Sequence, residues 1–361
     1  MKSNSNKNQY TLEDFGYNEY FERCRSKQKL DLLNVGRVIS EHKERYIVKT
    51  QSGDFEAEIV GNLIYSSQSR ADFPAVGDWV GVTEYDEGKL LIHSVFPRKT
   101  ILERSAVGKF GEKQIIATNI DFAFIVQSID RDFSINRIER YLTICNNSKV
   151  KPIIIISKVD LVDDEELAEI KKSIEERIKG VPVIGISNET QIGLDELKNT
   201  IEKYKTYCLL GSSGVGKSTL INTIMGEALM ETGNIGEITN RGKHVTSHRE
   251  LIVLDSGGIL IDNPGMREVG IADMQDGLKL SFEVIDQLSR NCRFKDCTHM
   301  HEKHCAVLDA VQNNEINKES YENYLKMQRE KDHFESTEQE KRRKGKDFAK
   351  MVKKVKKIKK K

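Results

Sequence analysis

Short apolar runs broken by turn residues fill the chain from Val35 to about Pro97: Val35–Ile39, Tyr46–Thr50, Phe55–Ile59, Trp79–Thr83 and Leu90–Val95. Gly53, Gly61, Pro74–Asp78 and Asp86–Gly88 punctuate them. Alternating or β-branched runs of this length predict strands, and five in succession predict a small barrel of the OB-fold type. Beyond Arg98 the period lengthens. Strands are predicted at Phe122–Val126, Pro152–Ile156, Val181–Ile186 and Tyr207–Leu210, and helices at Ile135–Cys145, Glu165–Ile178, Leu194–Tyr204 and Ser218–Met225. That alternation predicts a largely parallel, doubly wound sheet, to which Glu250–Leu254 and Ile259–Ile261 add a hairpin across Asp255–Gly258. Residues 1 to about 31 are polar at first, carry apolar anchors within Leu12–Tyr17, and read as a loosely ordered extension.

With 361 residues the chain has room for two or three domains, each with its own core. The apolar cluster Ile153–Ile156 is far short of a membrane span and Met1–Tyr10 is too polar for a secretory signal, so a cytoplasmic protein is expected. The net charge of +1 hides an asymmetry. Lys341–Lys361 holds thirteen Lys or Arg and one acid, Asp347, a tail of +12 on a body of −11. Of the six cysteines, Cys24, Cys145 and Cys208 are isolated, whereas Cys292, Cys297 and Cys305 lie close together, as metal ligands do.

Gly211-Ser212-Ser213-Gly214-Val215-Gly216-Lys217-Ser218-Thr219 fits the G-x-x-x-x-G-K-[ST] phosphate loop at every fixed position, between a predicted strand and a predicted helix. Its glycines let successive backbone N–H groups face one phosphate, Lys217 reaches the β and γ oxygens, and the Ser218 hydroxyl ligates Mg²⁺. A nucleoside triphosphate site follows.

Further motifs choose the base. Ser157-Lys158-Val159-Asp160 follows the Ile-rich strand, where an [N/T]-K-x-D guanine loop sits. Its Asp carboxylate accepts from guanine N1–H and N2–H₂ while the Lys stem packs on the base, and unpaired partners are costly enough to discriminate. Ser157 departs from the usual Asn or Thr, which bears only on the side-chain bond that first residue makes. Ser187-Asn188, after the next strand, resembles the loop that offers a backbone N–H to guanine O6. Asp262-Asn263-Pro264-Gly265 matches D-x-P-G, with Asp262 reaching Mg²⁺ through water and the Gly265 N–H meeting the γ-phosphate.

The order of these motifs is informative. Ordinary GTPases place the phosphate loop first; here both guanine loops precede it. The sequence is therefore expected to be circularly permuted, with the segment after D-x-P-G leaving the GTPase core directly. That segment contains Cys292-x₄-Cys297-x-His299-x₅-Cys305, a ligand set suited to one tetrahedral structural Zn²⁺, with His301 and His304 as competing ligands.

Taken together, these motifs resemble the ribosome small subunit-dependent GTPase A (RsgA) family over roughly residues 33 to 330. Asn119-Ile120-Asp121, Arg241-Gly242-Lys243-His244 and Cys305-Ala306-Val307 also match family patterns. His244 is followed by Val245-Thr246-Ser247 where the family usually has Thr-Thr, so the switch I hydroxyl on Mg²⁺ is open, with Thr246 the expected one. The resemblance implies a multidomain chain. An N-terminal extension (1–32) precedes an OB-fold β-barrel (33–98) and a central α/β circularly permuted P-loop GTPase domain (99–272). A C-terminal, mainly helical zinc-binding domain (273–335) and a basic tail (336–361) follow. It further implies a monomer that binds GTP or GDP with Mg²⁺, engages the small (30S) ribosomal subunit and its 16S rRNA late in assembly, is stimulated by the subunit and leaves after hydrolysis.

Met266 stands where many GTPases keep a water-orienting Gln, and an apolar side chain cannot do that work. His244, in the segment Gly233–Ser247, is the catalytic candidate beside Lys217 and Thr246; an RNA-contacting histidine is the other reading. Barrel, zinc domain and tail would together form an RNA surface. Trp79 is expected in the core rather than stacked on a base. Phe348, Met351, Val352, Val355 and Ile358 lie at helical spacing in the tail, which leaves a basic amphipathic helix or a solvated tail as alternatives. The rival function is an RNA-binding assembly scaffold that uses GTP as a conformational ligand with negligible turnover. A translation or signalling GTPase is disfavoured by the motif order.

Overall fold

The computed structural model describes residues 10–42, 45–67, 69–86, 88–105, 113–130, 133–225, 250–262, 274–332, 340 and 343. His244, Thr246, Gly265 and Met266, and nearly all of the basic tail, lie outside the described residues.

The punctuated runs form β1 (Asn34–His42), β2 (Arg45–Thr50), β3 (Gly53–Ile59), β4 (Trp79–Asp86) and β5 (Lys89–Val95). They close as β1-β2-β3-β5-β4 and back to β1; β3 and β5 run parallel and the other pairs antiparallel. With a short helix α2 (Gly61–Ser66) between β3 and β4, this is the five-stranded barrel expected. Inward positions such as Val38, Tyr46, Val48, Val80, Val82 and Ile92 make its core, so alternation along each strand supplies the filling. Gly77 holds a φ of +96°, and a Cβ there would sit 2.2 Å from the Thr118 carbonyl oxygen, so only glycine fits.

One expectation is overturned. The N-terminal extension is ordered from Tyr10 onward: a helix α1 (Glu19–Lys27), capped by Asn18, follows a turn of 3₁₀ helix. Phe15, Tyr17 and Phe21 are buried against Val35, Trp79 and Phe96. Tyr17 meets the Trp79 ring edge-on at 4.9 Å. Trp79 is fully buried, which fixes it as core. Aromatics scattered in a polar segment give no period, yet each supplies a large apolar area to an existing core.

Four parallel strands follow, in the order β10 (Val183–Ile186), β9 (Lys151–Ser157), β8 (Phe122–Ser128) and β11 (Thr206–Leu210); β13 (Ile259–Asp262) is parallel to β11 and β12 (Glu250–Val253) antiparallel to β13. Central strands are buried on both faces, which is why β8, β9 and β11 read as unbroken apolar runs. Helices α3 (Ile135–Asn147) and α4 (Asp164–Arg177) are joined by a buried Arg177–Glu139 pair at 2.7 Å. Asp163 caps α4, and Asp164, Glu165 and Glu166 fill its first turn, as the helix dipole favours. Helix α5 (Leu194–Asn199) stops at Asn199 rather than Tyr204. There the Tyr207 hydroxyl donates to the Thr200 carbonyl and accepts from the Glu202 N–H, and Tyr204 adopts a φ of +64° with its N–H on the Gly257 carbonyl. Tertiary hydrogen bonds end the helix where its side-chain period would continue it.

Barrel and nucleotide sheet share one hydrogen-bonded array of eleven strands through the pairing of Ser40 in β1 with Glu250 in β12. Beside it Arg37, 1% exposed, donates from Nε to the Gly77 carbonyl, from Nη1 to the Phe15 carbonyl, and from Nη2 to the Thr206 hydroxyl and the Asn119 carbonyl. Burial lowers its pKa to about 10, so it is still charged at neutral pH. Strands β6 (Ile101–Ser105) and β7 (Lys113–Thr118) form a separate two-stranded sheet.

Residues beyond Val269 belong to a second compact unit. The described helices of this stretch are α7 (Gln275–Ser281), α8 (Glu283–Ser289), α9 (Ala306–Gln312) and α10, over 318–332.

Candidate nucleotide site and cysteine-histidine cluster

Parallel register brings the sequence motifs to one edge of the sheet. Ile186 pairs with Ser157, Ser157 with Ser128, and Leu210 with Ile125, so the loops after β10, β9, β8 and β11 leave side by side. This carboxyl edge is where open α/β sheets bind ligands.

The turn after β11 is built for a close approach. Gly211 has a φ of +154°, and a Cβ on it would lie 2.4 Å from the Val126 carbonyl oxygen. Val215 is buried in the sheet core while Ser213, Gly214, Ser218 and Thr219 face solvent, so the loop's centre is accessible above an anchored base. Helix α6 (Lys217–Met225) starts directly after it and turns its amino end to the loop. Lys217 Nζ donates to the Gly211 carbonyl at 2.7 Å and to the Ser212 carbonyl. Burial lowers the Lys217 pKa and raises that of Asp262, and each charge partly offsets the shift of the other. Lys217 opens α6 and Asp262 ends β13, so an ammonium and a carboxylate both lie on this edge, the polarity that a phosphate with its divalent cation uses.

At the other end of the loop the Ser157 hydroxyl donates to the Val215 carbonyl at 2.7 Å. Ser157 thereby bonds the loop after β9 to the phosphate loop through its own side chain. Lys158, at a φ of +63°, sends its ammonium to Asp130 at 2.8 Å. Asp160 is exposed in a single 3₁₀ turn. The buried Ser187 hydroxyl accepts from the N–H groups of Glu189 and Thr190, which shapes the loop. The Asn188 side chain lies 3.7 Å from a Cβ built on Gly216 and accepts from Thr223 on α6. Ser157, Lys158, Ser187, Asn188, the loop 211–219 and Asp262 therefore converge. Sequence reasoning missed Asp130 and Arg37: the first belongs to no motif, while a lone arginine inside the apolar run Val35–Ile39 was a visible signal.

In the second unit, ligand atoms of Cys292, Cys297, His299 and Cys305 all lie within 4.8 Å of one another. Cys292 and Cys305 Sγ are 3.8 Å apart, and His299 Nδ1 is 3.6 and 3.4 Å from them. Tetrahedral zinc with Zn–S of about 2.3 Å and Zn–N of about 2.0 Å requires edges of about 3.8 and 3.5 Å, so the donor set fits. Burial lowers the His299 pKa, favouring the neutral ligand form. Burial first, then hydrogen bonds with the other two thiols, push Cys297 up to about 12, a crowding that a cation relieves. Cys305 also caps α9 by accepting from the Leu308 N–H, and Tyr321 on α10 donates to the His299 carbonyl. His301 and His304 are exposed, and neither joins the cluster.

A sequence model described as RsgA GTPase matches residues 95–272. One described as ABC transporter matches 194–357, a span that contains the phosphate loop. The small ribosomal subunit biogenesis GTPase RsgA 1 of Bacteroides thetaiotaomicron is 38% identical over 351 residues, 97% of each chain. Two crystal structures are similar at a TM-score of 0.60 and 26% identity: YjeQ from Thermotoga maritima, aligned over 81% of this chain and 96% of its own, and YloQ, described as a circularly permuted GTPase, aligned over 83% and 96%. Extent and identity together decide the matter: this chain belongs to the RsgA family of circularly permuted, GTP-hydrolysing enzymes.

Proposed function

We propose that the chain hydrolyses GTP while bound to the small ribosomal subunit late in its assembly, that the subunit stimulates hydrolysis, and that hydrolysis releases the enzyme. The observation that carries this reading is the convergence of two base loops and a phosphate loop on one sheet edge, in permuted order. The names of the relatives support the subunit as partner. In this reading Asp160 and Lys158 hold guanine, with Ser157, Ser187 and Asn188 shaping the pocket. Residues 211–219 cradle the phosphates. Ser218, Thr246 and, through water, Asp262 hold Mg²⁺, and Gly265 meets the γ-phosphate. Cys292, Cys297, His299 and Cys305 hold one zinc, which fixes the helices around it.

His244 supplies the water-orienting group that Met266 cannot. The barrel, the zinc cluster and the basic tail contact 16S rRNA, the protein works as a monomer in the cytoplasm, and the domains follow the boundaries at 33, 99, 273 and 336. Among the described residues no helix is long and apolar enough to cross a membrane. Single-turnover hydrolysis with and without small subunits tests the proposal. Strong stimulation that His244→Ala abolishes, with GTP and subunit binding retained, is the expected result. Turnover that stays negligible with subunits present would favour the scaffold reading instead.

A further inference from the structure

The loop after β8 carries no nucleotide motif, yet it reaches the base loop. Ser128 pairs with Ser157 across β8 and β9, and the Ile129 N–H donates to the Ser157 carbonyl at 3.0 Å, so residues 130 and 158 leave the sheet as neighbours. Two contacts of the Asp130 carboxylate bear on the site. Oδ1 accepts from the Ser128 hydroxyl at 2.9 Å, which orients the group on its own strand end; Oδ2 accepts the Lys158 ammonium at 2.8 Å. Lys158 is thereby held at both ends, at its backbone by a left-handed turn and at its ammonium by Asp130. Its methylenes become a fixed apolar rail, and Ser157 ties the same turn to the phosphate loop at Val215.

We infer that Asp130 is a positioning residue of the nucleotide site, which holds the Lys158 stem as the platform on which a purine ring packs, an assignment that rests on the guanine-loop reading above. A lysine stem covers apolar surface while its charged end is held elsewhere. Without Asp130 the stem would have to be ordered by the ligand at the moment of binding, and that entropy would be taken from affinity. A platform touches the ring face, not the edge, so Asp130 acts alike on every purine that Asp160 admits. Asp160 reads the edge and sets the preference.

Calorimetric titration of the full chain with Mg²⁺ and GDP, IDP or ADP tests this. Asp130→Ala should weaken GDP and IDP by the same factor, about three- to tenfold, with Asp130→Glu restoring most of it. The nucleotide-free protein should melt as the wild type does, because a half-exposed pair contributes little to stability. In a Lys158→Met background, where no ammonium remains to be held, Asp130→Ala should have no further effect. GDP affinity within 1.5-fold of wild type in Asp130→Ala, a loss confined to GDP, or an equal loss in the Lys158→Met background would each overturn the role of Asp130. A wild-type chain that binds ADP as well as GDP would overturn the guanine reading itself, and the inference with it.

Discussion

The nucleotide edge and the cysteine-histidine cluster both gather polar groups for a charged ligand, but they are held by different means. The phosphate loop rests on an extensive core in which Phe124, Val126, Ile155, Tyr207, Leu209, Leu260 and others are almost fully buried, and its shape comes from backbone conformation and strand register. The cluster is flanked in sequence by α8 and α9, helices of seven residues too short to be stable alone, and its shape comes from side chains. One site is made by the fold. The other, in the zinc reading, helps to make it.

The largest effect should come from metal removal. A strong chelator, or Cys297→Ser, should eliminate zinc and abolish protection against hydrogen exchange over 274–332, because binding of a structural zinc is worth about 10 kcal/mol or more of folding free energy. The sheet should keep its protection. Full protection of 274–332 in metal-free protein would erase the contrast between the two sites.

Next comes Lys217→Ala, expected to weaken GTP binding about a hundredfold by loss of charge-assisted bonds, while the thermal midpoint stays level or rises because a partly buried ammonium has been removed. A variant that loses its fold along with its nucleotide would show that the edge, too, depends on side chains. Asp160→Asn should cut the preference for GTP over ATP about tenfold or more, since half of a bidentate acceptor becomes a donor. Unchanged discrimination in competition titrations would move base reading elsewhere. The smallest effect is expected from Ser157→Ala, which removes one bond to the Val215 carbonyl and should cost about 1 kcal/mol, or roughly fivefold in GDP affinity. No change there would mean that backbone alone aligns the two loops.

The sequence was legible where one physical rule acted alone. Barrel strands alternated, central strands ran continuously apolar, and the phosphate loop permitted only one or two residue types at each fixed point. It was opaque where the decision lay across the fold. The burial of Phe15, Tyr17 and Phe21 depends on packing against Val35, Trp79 and Phe96 that no local pattern announces, and α5 ends at Asn199 because Tyr207 recruits the backbone beyond it. Asp130 lies outside every motif, and only strand register makes it a neighbour of Lys158.

Arg37 bears on how this protein can be taken apart. Its guanidinium binds carbonyls at Phe15, Gly77 and Asn119 and the hydroxyl of Thr206, the first residue of the strand that leads into the phosphate loop. A gene cut between barrel and sheet, the dissection that sequence boundaries invite, would leave the buried cation with Phe15 and Gly77 but strip it of the Asn119 carbonyl and the Thr206 hydroxyl, so Nη2 would lose both its acceptors. Modular swapping of the barrel among relatives would meet the same obstacle unless the incoming barrel placed an arginine against the same two sheet acceptors, Asn119 and Thr206. Barrel and nucleotide sheet are thus tied by one buried side chain as well as by a strand pairing.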